Sequence, residues 1–163
     1  MARDAIARQY DVDADSIILL PLEPQVSYQR GTIEFAPKKG RSIDLDKICE
    51  SITATRLSGG TKMSVDYLEI TATGEVIVRD KELVLKVSGT GQELLLSEEP
   101  TVKDGLQRLR EAVARGDKVS TVTGRVPGWS GRFPDVLREW PKAPDTQKWK
   151  LAVVDFEIEK KKR

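Results

Sequence analysis

The sequence predicts an α+β fold, with helices and strands alternating in its first half and strands predominating in its second half. An apolar stripe with the roughly 3.6-residue period of an amphipathic helix runs through residues 45–52. Further along, three short apolar runs separated by turn-forming residues lie between residues 65 and 96, and a second helical stripe follows at residues 101–115. Consecutive strands beside helices, without a regular strand–helix alternation along the whole chain, are typical of α+β proteins.

The first half is expected to contain a helix, two short strands and a second helix. Residues 2–10 carry a thin helical stripe, and residues 16–22 form a short apolar run in which Pro21 favours an edge position. Residues 25–37 approximate the alternation of a strand, so the two runs are expected to pair as a hairpin.

The helix at residues 42–57 has the strongest helical pattern of the first half. Ser42 or Asp44 can cap its first turn, and a "SGGT" sequence follows its end. Its predicted buried face consists of Leu45, Ile48, Cys49 and Ile52.

The second half is expected to begin with a three-stranded antiparallel meander. The "RDKE" sequence makes the first turn of this meander and "GTGQ" makes the second break. A helix is predicted at residues 101–115, and two further strands at residues 118–126 and 150–160.

The helix at residues 101–115 has recognisable signals at both ends. Thr101 with Asp104 three residues later resembles a capping box, and Gly116 is expected to end the helix. Its predicted apolar stripe consists of Val102, Leu106, Leu109 and Val113.

The composition argues against several classes of function. Twenty-seven basic and 26 acidic residues leave a net charge of +1, so no global field attracts nucleic acid or an anionic membrane. The absence of histidine removes a common zinc ligand and the usual general base of catalytic triads. Cys49 is the single cysteine, so one chain can form neither an internal disulfide nor a multi-thiolate metal cage. No apolar run approaches the roughly 20 residues of a membrane span, and no signal-peptide core is evident, so we expect a cytoplasmic protein.

Five segments within residues 1–74 follow one another in the order helix, strand, strand, helix and strand. They are "ARDAIARQY", "SIILLPLEPQ", "YQRGTIEFAP", "DLDKICESI" and "VDYLEITATG". This order resembles the later part of a heavy-metal-associated domain, a ferredoxin-like βαββαβ module of copper and mercury carriers. In that family a strand and a paired-cysteine loop precede the first helix, and both are missing here. The resemblance therefore implies a ferredoxin-like βαβ unit without the two thiolates that hold a soft metal ion.

The missing strand and loop leave two hypotheses about residues 1–74. If they are encoded upstream of Met1, the chain is a metal-trafficking protein with a cysteine-bearing N-terminus, and it is periplasmic or exported. If they were never present, the edge that the first strand normally covers is exposed, which favours self-association. Within the 163 residues we expect no metal site and no cofactor.

The order of elements in the second half, three meander strands, a helix and two strands, resembles an OB-fold. That fold is a five-stranded Greek-key barrel. The resemblance implies a five-stranded OB-like antiparallel barrel at residues 66–163, which would share a strand near residues 65–78 with the module at residues 1–74. The alternative is one α+β domain of irregular topology.

The segment at residues 127–149, "PGWSGRFPDVLREWPKAPDTQKW", contains all three tryptophans of the chain. In OB-folds the loop between the last two strands borders the ligand face. Its aromatic residues lie beside cations that include Arg125, and this mixture can contact a protein or stack nucleic acid bases. Acidic residues interleave with the cations, and packing of the loop against its own barrel is a further possibility. The predicted contact surface consists of Trp129, Arg132, Phe133, Arg138, Trp140 and Trp149.

The predicted function is that of a non-catalytic binding or assembly module. No loop has the spacing of a phosphate-binding loop, and no base is available to activate a serine or threonine, so no catalytic residue is predicted. The expected partner is another protein or a second copy of the chain. Single-stranded nucleic acid is an alternative partner, and a membrane is not expected.

Overall fold

The computed structural model describes these parts of the 163-residue chain: residues 12–19, 33–42, 44, 47–48, 67–127 and 150–159. The chain divides into two compact units, residues 1–43 and residues 44–163. None of the helices in the described part has the length and apolar character that a membrane span requires. The helix predicted at residues 2–10 lies outside the described residues, and the modules predicted at residues 1–74 and 66–163 stay predictions.

In the first unit, a 3₁₀ turn at Ala14–Ser16 precedes a short two-stranded sheet. Strand β1 (Ile18–Leu19) pairs antiparallel with β2 (Ile33–Glu34), so the predicted strand pairing is confirmed. Ser16, predicted to begin the first strand, instead ends the 3₁₀ turn. Its hydroxyl donates a hydrogen bond to the carbonyl of Asp13 (2.7 Å) and accepts one from the backbone N–H of Ala36 (2.7 Å).

Asp44 caps a helical turn, as the sequence predicts. Its Oδ1 accepts a hydrogen bond from the backbone N–H of Lys47 (2.9 Å), and its carbonyl accepts one from Ile48 (3.1 Å). Lys47 and Ile48 are helical and Ile48 is buried. The other residues of the predicted stripe, Leu45, Cys49 and Ile52, lie outside the described residues.

Five strands of the second unit pair in a ring. They are β3 (Tyr67–Arg79), β4 (Glu82–Val87), β5 (Glu93–Glu98), β6 (Val119–Pro127) and β7 (Lys150–Ile158). The pairing order is β3-β4-β5-β7-β6, and β6 pairs again with β3. The meander β3-β4-β5 is antiparallel as predicted. The expectation of an antiparallel sheet throughout is wrong, because β5 and β7 are parallel and the sheet is mixed.

Strand β3 changes partner in its middle. Residues 67–73 pair with β6 and residues 74–79 pair with β4. Gly74 stands at the change, where a Cβ atom would lie 2.2 Å from the carbonyl oxygen of Lys86. Because only glycine permits this approach, Gly74 allows one long strand to serve both halves of the ring.

The turn between β3 and β4 has the geometry of a two-residue hairpin. Asp80 and Lys81 both have positive φ angles, 50° and 68°, as a type I′ turn requires. The predicted "RDKE" turn is therefore confirmed, and it gives the register in which Arg79 pairs with Glu82.

The core lies inside the ring and consists of aliphatic side chains. The most buried among the described residues of the sheet are Leu83, Leu85, Val122, Val126, Leu151 and Val153. Two irregularities, at Ser120 in β6 and Val154 in β7, interrupt the pairing of these strands. Bulges of this kind bend strands, which ring closure requires.

Helix α1 (Gly105–Ala114) packs against β5 and β7, and Gly116 ends it with a φ of 82° as predicted. Leu109 of the predicted stripe is fully buried, but its other buried residues are Gly105 and Ala112. A Cβ at position 105 would lie 2.8 Å from the carbonyl oxygen of Val153. The helix therefore approaches the sheet through small residues, and Val102, Leu106 and Val113 are only half-buried.

The predicted capping box of this helix is wrong. Asp104 is the N-cap residue, but it has a left-handed backbone and its side chain caps nothing. A capping box would have the Thr101 hydroxyl accept a hydrogen bond from a backbone N–H of the first helical turn, but Asp104 is the N-cap residue and the Thr101 hydroxyl donates to Glu99 Oε1 (2.8 Å).

Candidate functional site

The predicted contact surface lies outside the described residues. This holds for all six of its members, Trp129, Arg132, Phe133, Arg138, Trp140 and Trp149. The segment that contains them connects the end of β6 at Pro127 to the start of β7 at Lys150. Among the described residues, the candidate site is therefore the end of β6 together with residues 67–73 of β3, with which β6 pairs.

The first half of β3 and the facing half of β6 present a polar outer face. Opposite residues of an antiparallel pair point to the same side of the sheet. In this register Glu69 faces Arg125 and Thr71 faces Thr123, while Ile70 faces inward and is buried. The hydroxyls of Thr71 and Thr123 are hydrogen-bonded at 3.0 Å.

Arg125 is held at two points on this face. Its Nε donates a hydrogen bond to Glu69 Oε2 (3.0 Å), and its guanidinium carbon lies 4.9 Å from the centre of the Tyr67 ring. A cation at this distance from an aromatic ring is attracted by the ring's negative face. We call Arg125 and Glu69 the open pair, because in the described part of the chain neither Nη nitrogen of Arg125 has a hydrogen-bond acceptor.

The electrostatic surroundings of Arg125 are acidic. The hydrogen bond to Glu69 raises the pKa of Arg125, and the charges of Glu69 and Glu99 raise it further. Glu99 is itself fixed by Thr101, whose hydroxyl and backbone N–H both donate to it and lower its pKa. One guanidinium and two nearby carboxylates give this group a net charge of −1.

A second arginine of the same sheet has a different geometry. Arg79 donates from Nη1 to Glu93 Oε2 (2.6 Å) and from Nη2 to Glu93 Oε1 (2.9 Å). We call these two residues the closed pair, because both ends of the guanidinium fork are occupied. Arg79 is on β3 and Glu93 on β5, so the closed pair spans β4. The hydrogen bonds from Arg79 lower the pKa of Glu93.

The outer face continues onto β7 and carries mostly acidic side chains. Asp155 faces Thr123, and Glu157 faces Thr121. The charged side chains of this face in the described strands β3, β6 and β7 are Glu69, Glu75, Asp155 and Glu157, against Arg79, Arg125 and Lys150. The excess of acidic groups is therefore local to Arg125, where Glu69 and Glu99 outnumber the cation, and such surroundings favour a partner with basic groups.

The described residues hold no group of three or more Cys, Asp or Glu side chains that could bind a metal ion. No protein family, no curated protein and no solved structure matches the chain. The resemblance of residues 1–74 to a heavy-metal-associated domain therefore stays a prediction.

The sequence alone drew attention to Arg125 only as a cation beside the Trp-rich segment. Tyr67 lies at the start of the first apolar run of the second half and carries no separate signal of a site. The signal that could have found the pair is the alternation of Tyr67, Glu69 and Thr71, which places three polar residues on one face of β3. Which residues of β6 these three side chains meet depends on the register between β3 and β6, and the local sequence does not determine this register.

Proposed function

We propose that the chain is a non-catalytic binding or assembly module. In this proposal the second unit contains an OB-like barrel, and the segment at residues 127–149 supplies the contact surface for a protein partner. The observation that carries the proposal is the strand order β3-β4-β5-β7-β6 with helix α1 between β5 and β6. A five-stranded Greek-key ring with one helix in this position is the arrangement of an OB-fold.

The position of the Trp-rich segment supports a binding role. It connects β6 to β7, the fourth and fifth strands of the ring, and OB-folds use this loop to border their ligand face. Tyr67 pairs with Pro127, the residue at which the segment begins, and is 53% exposed. It is thus an exposed aromatic residue on the sheet at this position. Tryptophan, tyrosine and arginine are the residues that most often dominate protein interfaces.

The charges of the described face favour a protein over nucleic acid as the partner. A phosphate backbone would meet Glu69, Glu75, Asp155 and Glu157 on the described strands β3, β6 and β7, and the cations there are Arg125, Lys150 and Arg79, the last of which already binds Glu93. Counterion release, which drives nucleic acid binding, requires several phosphate contacts to cations.

Affinity capture with the full chain tests the proposal. The bait proteins are the wild type, a Trp129→Ala/Trp140→Ala variant and a Val78→Ala control, which removes an apolar side chain that is 61% exposed in β3. We expect specific proteins to be retained by the wild type and the control but lost from the Trp variant. Thermal unfolding of each bait shows that the variants are folded.

Two further measurements complete this test. Sedimentation velocity identifies self-association, in which case the captured protein is a second copy of the chain. A labelled single-stranded oligonucleotide is titrated at low and moderate salt. Tight binding that weakens steeply with salt and depends on Trp140 would contradict a protein partner, as would capture of the same proteins by all three baits.

A further inference from the structure

We propose that Arg125, oriented by Tyr67 and Glu69, receives a carboxylate of the partner, and that this carboxylate stands among basic residues of the partner. The inference rests on the proposed function and names the chemistry of the partner at one position. A guanidinium is a planar fork whose direction decides what it can bind, and in the open pair this direction is fixed.

The orientation of the Arg125 guanidinium is fixed from two sides. The Nε hydrogen bond to Glu69 (3.0 Å) occupies one edge, and the Tyr67 ring, 4.9 Å from Cζ, covers one face. The Arg125 side chain is only 33% exposed, so it does not move freely in solvent. A guanidinium immobilised in this way loses less entropy when it binds a further group.

The bidentate end of Arg125 consists of its two Nη groups. Both Nη groups lack an acceptor among the described residues. Two parallel N–H groups match the two oxygens of a carboxylate, and charge-assisted bonds of this type are the stronger class of hydrogen bond. In the closed pair the same end of Arg79 already binds such a carboxylate, that of Glu93.

The acidic surroundings decide which carboxylate can bind. Glu69 and Glu99 outnumber the charge of Arg125. An isolated anion therefore gains little from long-range attraction. A carboxylate flanked by lysine or arginine can bind the Nη groups of Arg125, while its basic neighbours face Glu69 and Glu99. A partner surface that carries only acidic groups is repelled by these two carboxylates.

Peptide titrations with the full chain test this inference. The probes are Ac-Lys-Glu-Lys-amide, Ac-Lys-Gln-Lys-amide and Ac-Lys-Gln-Lys with a free C-terminal carboxylate, followed by NMR signals of the Arg125 Nε–Hε group and the Tyr67 ring. If charge alone acted, the more cationic Gln amide would bind best. We expect the Glu peptide to bind about threefold to tenfold more tightly than the Gln amide, as charge-assisted hydrogen bonding to the fork requires.

The third peptide distinguishes the two sources of a carboxylate. Tighter binding of the free-acid peptide than of the Glu peptide assigns the partner's C-terminus, and the reverse order assigns a side chain. The inference is supported if both carboxylate peptides bind more tightly than the Gln amide, whichever of the two binds more tightly. Equal or weaker binding of both carboxylate peptides relative to the Gln amide overturns it, and so does tighter binding of deoxyguanosine monophosphate.

Matched variants locate the effect. Arg125→Gln should abolish the carboxylate preference, and Arg125→Lys, which keeps the charge and loses the fork, should also reduce it. Arg79→Gln should leave the preference unchanged because the Arg79 fork binds Glu93. Loss of the preference in Arg79→Gln, or its survival in Arg125→Gln, overturns the assignment. If the affinity capture still depends on Trp129 and Trp140 but the titrations show no preference for a carboxylate peptide, only this inference is overturned. If the capture does not depend on these tryptophans, the proposed function is contradicted.

Discussion

The two halves of β3 belong to Arg–Glu pairs with opposite geometries. In the half that pairs with β4, Arg79 uses both Nη groups to hold Glu93 across an intervening strand. In the half that pairs with β6, Glu69 binds only Nε of Arg125, and the guanidinium stacks on Tyr67. The same two residue types therefore form a closed contact in one region and an open one in the other.

Strand spacing explains this difference. Glu93 lies two strands away from Arg79, so the full length of the arginine side chain is needed and the fork meets the carboxylate end to end. Glu69 is directly opposite Arg125 on the adjacent strand, so the longer arginine side chain extends past it toward Tyr67. The strand register and the number of strands between the two residues thus decide the geometry of each ion pair. The Arg79–Glu93 pair links two strands with both Nη groups, whereas the Arg125–Glu69 pair uses only Nε of the arginine.

The largest expected effect on stability concerns helix α1. It packs against β5, which neighbours β4, and against β7, which neighbours β6. Leu109 of α1 is fully buried and the helix lies against β5 and β7, so Leu109→Ala should destabilise the fold by about 3 kcal/mol through lost burial and a cavity. Val113→Ala, at a half-buried position of the same helix, is the control and should cost about 1 kcal/mol or less. Urea unfolding measures both, and equal losses would contradict the observed packing face.

The next largest effect concerns the point where the two regions meet. Gly74→Ala places a methyl group against the Lys86 carbonyl and should cost about 2 kcal/mol, because two backbones must separate. The neighbouring Thr73→Ala, an exposed position, should change stability by about 0.5 kcal/mol or less. Thermal unfolding distinguishes the two. If both variants unfold at the wild-type temperature, the backbone of β4 at Lys86 does not lie against Gly74 as the structure shows.

A smaller effect is expected from the hydroxyl pair beside the open pair. Thr71→Val removes one partner of the 3.0 Å contact with Thr123 and should cost about 0.5–1 kcal/mol. Thr71→Val combined with Thr123→Val should cost less than the sum of the two single changes, because neither hydroxyl is left without its partner. Additive losses in urea unfolding would show that the two hydroxyls do not interact.

The smallest expected effect is the pH dependence of the closed pair. The pKa of Glu93 is lowered in the folded state by Arg79, so its contribution is complete above the ordinary pKa of glutamate and is lost as pH falls through the lower folded value. Glu93→Gln should therefore flatten the acid side of the stability profile as the pH falls below the ordinary glutamate pKa of about 4.3. Glu82→Gln makes the same charge change on β4 and is the control. An unchanged acid side in Glu93→Gln would show that the closed pair does not persist in solution.

Local patterns in the sequence predicted most of the second unit. The alternation of residues 67–98 and the turn at Asp80 and Lys81 are local properties, and the structure confirms the meander that they indicate. The parallel pairing of β5 with β7 depends on how α1 and β6 return the chain to the sheet, so no local pattern reports it. The buried face of α1 was misjudged because close helix–sheet packing selected Gly105 and Ala112 over larger side chains.

The candidate site was less predictable than the fold for the same reason. Arg125 and Tyr67 are 58 residues apart and meet only through the register of β3 with β6. Composition favours tryptophan as the signal of a contact surface, and it directed the prediction to residues 127–149 rather than to the strand face at their root.

The contrast between the open and closed pairs can be measured directly by NMR of the arginine Nη groups. Rotation about the Nε–Cζ bond averages the two Nη signals unless both are held by hydrogen bonds. We expect two resolved Nη signals for Arg79, one averaged signal for Arg125, and two resolved Arg125 signals after addition of Ac-Lys-Glu-Lys-amide. Two resolved Arg125 signals in the free protein, or a peptide effect on Arg79 alone, would contradict the assignment of Arg125 as the open recognition site.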